Sequence, residues 1–333
     1  MRIIIPMAGI GKRMRPHTLT TPKPLLPIAG KPMVQWIAED IAKVCSENIE
    51  EIAFVIGDFG KEVEKNLLGI ANKLGAEGKI YYQQQALGTA HAILCAEKSL
   101  KGKTVVAFAD TLFSANFKMD EEKDGIIWVQ KIENPEQFGV VKVNKKNEIT
   151  DFVEKPKTFV SDLAIIGIYY FKDGENLKEE LQFLIDNNVV KSGEYQLTDA
   201  LQNMKNKGIK FSPGTVDEWL DCGNKDATVH TNQRVLELNK NKKLIAESVK
   251  NIHSEIIPPC FIGENVLIEN STVGPYVSIG ENSFIKNSLL ENTIIQTNTK
   301  IVNATLKNSM LGNFVEMNKS SHDASIGDYS VIK

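Results

Sequence analysis

The stretch Arg2-Ile3-Ile4-Ile5-Pro6-Met7-Ala8-Gly9-Ile10-Gly11-Lys12-Arg13-Met14-Arg15-Pro16-His17-Thr18 decides how the first part of the chain is read. Arg2–Pro6 is a run of branched apolar residues, the pattern of a short buried strand. It leads directly into a glycine loop, whose backbone N–H groups can approach a phosphate closely. The loop is not a Walker A sequence, because Pro6 stands where the glycine five residues before Gly11 is required. Nor is it a dinucleotide fingerprint, since the third glycine would fall at Met14. Its distinguishing feature is charge: Lys12, Arg13 and Arg15 lie within four residues, in a chain with only four arginines. Downstream, Thr21-Pro22-Lys23-Pro24-Leu25-Leu26-Pro27-Ile28-Ala29-Gly30-Lys31-Pro32 surrounds Lys23 with prolines that stiffen the backbone.

Outward from this loop, strand-like and helix-like segments alternate to about residue 240. Strands are expected at Glu51–Gly57, Lys79–Gln83 and Thr104–Ala109, and helices at Val34–Val44, Lys61–Leu74 and Ala90–Leu100. Such alternation predicts an α/β fold with a mixed, mostly parallel Rossmann-like sheet and helices on both faces. Ligands in such sheets collect at the carboxyl ends of strands, here the Gly9–Thr18 loop, Gln83 and Asp110. Strands then cluster at Ile126–Lys131, Gly139–Val143, Ile149–Val153 and Ala164–Phe171, before helices at Leu177–Asn187 and Thr198–Asn206.

After residue 250 the period changes. Ile262, Ile268, Val273, Ile279, Ile285, Leu290, Ile295, Ile301, Leu306, Leu311 and Met317 are five or six residues apart. Two or three residues behind these anchors come Asn265, Asn270, Asn282, Asn287, Asn292, Asn298, Asn303, Asn308 and Asn313. Asn tolerates left-handed backbone angles and suits tight corners, so the register predicts a left-handed parallel β-helix of hexapeptide repeats. About four coils are expected, with a break near Lys319–Ala324 and a last rung at Ile326–Ile332. The expected domains are 1–240, a linker at 241–251 and the β-helix at 252–333, with a helix over Asp226–Ser248 leading into it.

Composition narrows the function. The 333 residues carry a net charge of −3 and 42% apolar side chains, which excludes a global basic field for nucleic acid and argues against disorder. No apolar run is long enough for a membrane span. Cys45, Cys95, Cys222 and Cys260 form no C-x-x-C pair, so a reduced, cytoplasmic setting is expected.

Taken together, Gly9-x-Gly11-x-Arg13-Met14-x-Pro16-x-Thr18 and Pro22-Lys23-Pro24-Leu25-Leu26-Pro27-Ile28-Ala29-Gly30-Lys31-Pro32 resemble the signature of sugar-1-phosphate nucleotidyltransferases, particularly glucose-1-phosphate thymidylyltransferases. The resemblance runs to about residue 235 through Leu87-Gly88-Thr89-Ala90, Ala109-Asp110, Phe138-Gly139-Val140-Val141, Glu154-Lys155-Pro156, Ile166-Gly167-Ile168-Tyr169 and Trp219-Leu220-Asp221-Cys222-Gly223. Relatives often add a hexapeptide β-helix. The resemblance implies that Ala8, Gly9, Gly11, Lys12 and Arg13 hold a nucleoside triphosphate, with Gln83, Gly88 and Thr89 around the base. It implies that Arg13, Lys23 and Asp110 act at the reacting phosphates, and that Asp110 and Asp221 hold Mg²⁺. Gly139, Glu154, Lys155, Ile165 and Trp219 would receive the sugar 1-phosphate. The chain departs from the family at Ala8, Lys12, Pro24 and Ala109, positions that bear on the choice of base and sugar. dTTP and glucose 1-phosphate lead. Weighed against them are uridylyl or guanylyl transfer to mannose or an amino sugar, an acyl-transferring β-helix, and a non-catalytic sugar-nucleotide-sensing subunit. The β-helix itself is expected to support a homo-oligomer, with transfer surviving its removal.

Overall fold

A computed structural model describes residues 1–333. Its contacts group the chain into two compact units, Met1–Gly9 with Gln35–Trp219, and Ile10–Val34 with Leu220–Lys333. Periodicity marks where the coils begin; packing instead gathers the signature loop and the last helix together with the coils.

The first unit is built on a nine-stranded mixed sheet. Its main path runs Ile149–Glu154, Gly139–Val143, Leu163–Phe171, Thr104–Ala107, Arg2–Pro6, Glu51–Ile56, Glu77–Tyr82. Gly125–Lys131 and Phe211–Gly214 extend from Leu163–Phe171. Arg2–Pro6 is flanked in parallel by Glu51–Ile56 on one side and Thr104–Ala107 on the other. That arrangement is the point of reversal in strand order, where α/β sheets open a crevice. The helices α1 (Met33–Val44), α2 (Lys61–Lys73), α3 (Thr89–Leu94), α4 (Gly174–Asp186) and α5 (Leu197–Asn206) follow the expected periodicity. The core joins Ile4, Val55 and Val106 of the sheet to Ile93, Leu181 and Leu201 of the helices.

One expectation needs correction, and one strand was not foreseen. The helix drawn over Ala90–Leu100 stops at Leu94, because the chain tightens into a 3₁₀ turn at Glu97–Ser99. Phe211–Gly214 is a strand that no periodicity announced; its Pro213 and Gly214 are tolerated because it pairs only with Gly125–Lys131.

The second unit contains the left-handed parallel β-helix, with three sheets of six, five and five short strands. That is five coils plus one strand, where four coils were expected. The expected break is not a break: Ser321–His322 pairs with Thr305–Lys307, and Ser325–Ile326 with Met310–Leu311. Its Ser321–His322 strand brings no apolar anchor opposite Leu306, and hydroxyls hold the chain there, the Ser320 Oγ accepting from Thr305 N and the Ser309 Oγ of the preceding coil from Ala324 N. The apolar ladder is buried from Ile262 to Met317. Asn265, Asn270, Asn282, Asn287, Asn292, Asn298, Asn303 and Asn308 all have positive φ. Asn313 does not; Phe314 takes that corner, and the Asn265–Asn282–Asn298 column ends in Phe314 and Tyr329, stacked at 4.9 Å.

The helix expected over Asp226–Ser248 is shorter. Here α6 spans Lys225–Leu238 and Asn239 closes it, its side chain donating to the Val235 carbonyl. Coil pairing has already begun at Ile245, which bridges to Ile262, and at Lys250–Ile252, which pairs with Leu267–Glu269. One face of the coils differs from the others. On it Ile262, Ile279, Ile295, Leu311 and Ile326 pack inward, so Ser278, Ile294 and Met310 point outward, yet all three are buried. Elsewhere Leu289 is 48% exposed. No helix is long and apolar enough to cross a membrane.

Ile285 is fully buried in the ladder. Ile285→Lys should destabilise the coils by several kcal/mol, because an unpaired buried charge has no compensation. Thermal melting and circular dichroism should show a large drop in midpoint.

Candidate active site

In the first unit a cavity of about 170 Å³ lies between Glu154 at the end of its strand, Gly139 at the start of the neighbouring one, the inner part of Leu163–Phe171 and the start of α5. It brings together Thr89, Gly139, Glu154 and Ile165 of the expected residues. Gly139 is constrained there, because a Cβ would lie 3.0 Å from Glu154 Oε2 and 3.3 Å from Ile165 Cδ1. Thr198 donates to the same Glu154 oxygen at 3.3 Å, fixing the carboxylate on the wall. Lys155 follows with φ +40, a left-handed angle unusual for lysine. Its backbone N–H donates to the Phe138 carbonyl, and its ammonium stands 3.5 Å from Glu154 with the side chain 61% exposed. Trp219 meets Phe138 edge to face at 5.1 Å, and its buried indole N–H has no hydrogen-bond partner.

Gln83, Gly88 and Thr89, expected around the base, form a second cluster. Gln83 donates to the Gly88 carbonyl at 3.2 Å and faces His91 Nδ1 at 3.1 Å. Burial lowers the His91 pKa. Gly88 has φ +110, and a Cβ would lie 2.5 Å from the Tyr195 carbonyl oxygen. Thr89 opens α3 and accepts from Leu197 N at 3.0 Å, tying α3 to α5. Ala8 and Gly9 leave the end of the first strand, where Met7 N–H bonds to Val55 O, and Asp110 follows the Thr104–Ala107 strand.

Sequence reasoning missed Tyr169, Gln137, Gln196 and Thr198, which also line the cavity. Tyr169 is 6% exposed, and burial, with Glu154 and Asp110 in electrostatic reach, pushes its phenol well above the ordinary value. It stays a neutral wall group. The Phe138-Gly139 and Ile166-to-Tyr169 motifs were available signals for this wall; nothing marked Gln196 or Thr198.

The second unit holds Gly11, Lys12, Arg13, Lys23 and Asp221. Gly11 takes φ +65, and a Cβ there would lie 3.0 Å from Lys23 Cβ and 3.1 Å from Thr18 Cγ2. Thr18 closes the turn by donating to the Gly11 carbonyl at 2.9 Å. The turn therefore exposes Lys12 and Arg13 while Lys23 is buried against it. Arg13 and Asp221 share a neighbourhood around Gly223: a Cβ there would sit 2.9 Å from Asp221 Oδ2 and 3.2 Å from Arg13. Gly223 N–H donates to Asp221 Oδ1 at 3.0 Å, and Thr231 donates to the Asp221 carbonyl at 2.7 Å. His17, which carries no motif, is fully buried and bonded to Ser325 at 3.2 Å.

Comparison with known proteins gives this geometry a context. Residues 2–237 match the family described as nucleotidyl transferase. Over its whole length the chain is 29% identical to the low-salt glycan biosynthesis nucleotidyltransferase Agl11 of Haloferax volcanii, covering all of that protein. It is 31% identical, over 82% of its length, to the bifunctional protein GlmU of Methanococcus maripaludis, of which it covers 61%. A glucose-1-phosphate thymidylyltransferase of Streptomyces antibioticus is 25% identical across 100% of the chain and 99% of that protein. A solved UDP-glucose pyrophosphorylase bound to UDP-glucose superposes with a TM-score of 0.60 at 24% identity, over 71% of this chain and 98% of that one, which supports the fold.

Burial pushes the His17 pKa down to about 4, with Asp328 opposing the shift and Lys225 adding to it. The unfolded chain, with His near 6.5, then binds more protons between those values, so stability falls as pH drops from about 6.5 toward 4. His17→Gln should flatten the stability-versus-pH slope in that window, read as urea midpoints. Parallel curves for the two proteins would remove His17 as the cause.

Proposed function

The chain belongs to the nucleotidyl transferase family, and from that premise we propose that it transfers a nucleotidyl group from a nucleoside triphosphate to a sugar 1-phosphate, with dTTP and glucose 1-phosphate as the leading pair. The cavity carries the sugar half of this reading. At about 170 Å³ it has room for one six-membered ring, since a cavity of about 150 Å³ accommodates benzene. Glu154 on its wall suits a sugar hydroxyl, and the exposed Lys155 ammonium suits the attached phosphate.

A sugar 1-phosphate is already anionic at neutral pH, so its phosphate oxygen attacks the α-phosphorus without a general base. The new oxygen–phosphorus bond forms as the bond from the α-phosphorus to the bridging oxygen breaks, and pyrophosphate leaves with that electron pair. The protein must offset repulsion between two polyanions and hold them in line. Arg13 and Lys12, presented on the rigid Gly11 turn, would hold the triphosphate, with Lys23 behind them. Gln83, Gly88 and Thr89 would meet the base, and Trp219 and Ile165 would border the sugar. Two carboxylates, Asp110 and Asp221, are a hard-oxygen donor set that fits Mg²⁺. When bound, that ion would neutralise charge developing on the leaving phosphates.

Among the similar proteins a thymidylyltransferase and a UDP-glucose pyrophosphorylase differ in base, so uridylyl transfer or another sugar 1-phosphate is the second reading. Four nucleoside triphosphates assayed against several sugar 1-phosphates for pyrophosphate release decide the pair. No release with any pair would favour a sensing role. Light scattering tests the proposed homo-oligomer.

Asp110→Asn and Asp221→Asn should each lower turnover about 10²–10³-fold while the fold persists. Near-normal turnover in either would overturn the carboxylate assignment. Lys155→Ala should raise the KM for sugar 1-phosphate, whereas Arg13→Ala should act on the nucleotide. A Lys155→Ala enzyme with only its nucleotide KM raised would reverse the assignment.

A further inference from the structure

The covered face of the β-helix is where the signature segment lies. Within the second unit, three contacts join the segment to the final coil. His17 Nε2 shares a hydrogen bond with Ser325 Oγ at 3.2 Å, and Thr20 donates to Asp328 Oδ2 at 2.7 Å. Gly327 packs so closely that a Cβ would lie 2.9 Å from Pro16 Cβ and 3.3 Å from Pro16 Cγ. The other end of the segment is joined to the early coils. Ala29 N–H donates to Asn232 Oδ1, which also accepts from Ser278, and the Phe261 ring fills the space where Gly30 lacks a side chain. Between these anchors lie the Gly11 turn's partners, Thr18 and Lys23.

We propose that the final coil is a brace that sets the shape of the phosphate-binding loop, with Ser325, Gly327 and Asp328 as positioning residues that act through Pro16, His17 and Thr20. None of the three belongs to the set assigned to substrate. Pro16 and His17 follow Arg13 by three and four residues, and Thr18, which closes the Gly11 turn, lies between His17 and Thr20. Freeing this stretch would let Lys12 and Arg13 sample more orientations, and the nucleotide would then bear the ordering cost. This replaces the sequence-based expectation that transfer survives loss of the β-helix, because removing the coils removes the brace. The proposal rests on reading the loop as the nucleotide site.

Ser325→Ala deletes one bond, and Gly327→Ala wedges a methyl against Pro16 at a backbone angle that alanine accepts. Each should speed amide hydrogen exchange in residues 12–20 without ligand. Each should also raise the nucleotide KM about five- to tenfold, the scale of one lost hydrogen bond, with the sugar 1-phosphate KM within about twofold. Ser325→Thr, which keeps the hydroxyl, should restore both readouts. Unchanged exchange in both variants overturns the brace. Faster exchange with both KM values unchanged also overturns the positioning role. Faster exchange with only the sugar 1-phosphate KM raised leaves the brace standing and overturns the nucleotide reading of the loop.

Discussion

One buried amide ties the second unit together. Asn232 on α6 is fully buried, and its Oδ1 accepts from the Ala29 backbone and from the Ser278 hydroxyl of the coils. A single oxygen thus joins three stretches that are far apart in sequence. Buried polar groups favour partners, and this oxygen has both of its partners only when helix, loop and coil are all in place, while the Nδ2 of the same amide is buried without one. The same demand recurs at Lys225, whose ammonium pairs with Asp323 and donates to the Asn308 carbonyl at 3.1 Å. α6 is therefore more than a connector; it is the element against which the loop and the coils register.

The first unit reaches order by a different route. Its cavity is shaped by missing side chains: Gly139 leaves room for Glu154, and Gly88 lets α3 begin directly against Tyr195. Hydrogen bonds then set the polar groups, Thr198 on Glu154 and Thr89 on Leu197. The first unit holds a walled cavity with the Lys155 ammonium beside Glu154, and the second exposes Lys12 and Arg13 on the Gly11 turn.

The extent to which this was legible in sequence follows from the range of each interaction. Strand and helix periods are local, so Arg2–Pro6, Lys61–Lys73 and the coil ladder stood out directly. Asn at corner positions signalled positive φ because few other residues accept it. A break was expected at Lys319–Ala324 because Ser320 and Ala324 look like loop residues until their partners one coil away, Thr305 and Ser309, are seen. The site motifs were legible as motifs. The Thr198–Glu154 and His17–Ser325 contacts were not, since they join chain stretches 44 and 308 residues apart.

Repeat proteins commonly gain and lose whole repeats during evolution, because each repeat touches only its neighbours. This β-helix is denied that freedom on one side. From Phe261 to Ser325 the covered face climbs four strand spacings, about 19 Å at roughly 4.8 Å each. The Pro16–Gly30 segment touches both ends of that climb. Deleting one coil between them would shift the far contacts by roughly 4.8 Å, well beyond hydrogen-bond reach. The coil count is in effect a ruler cut to the length of the loop, so that a change in one demands a matching change in the other.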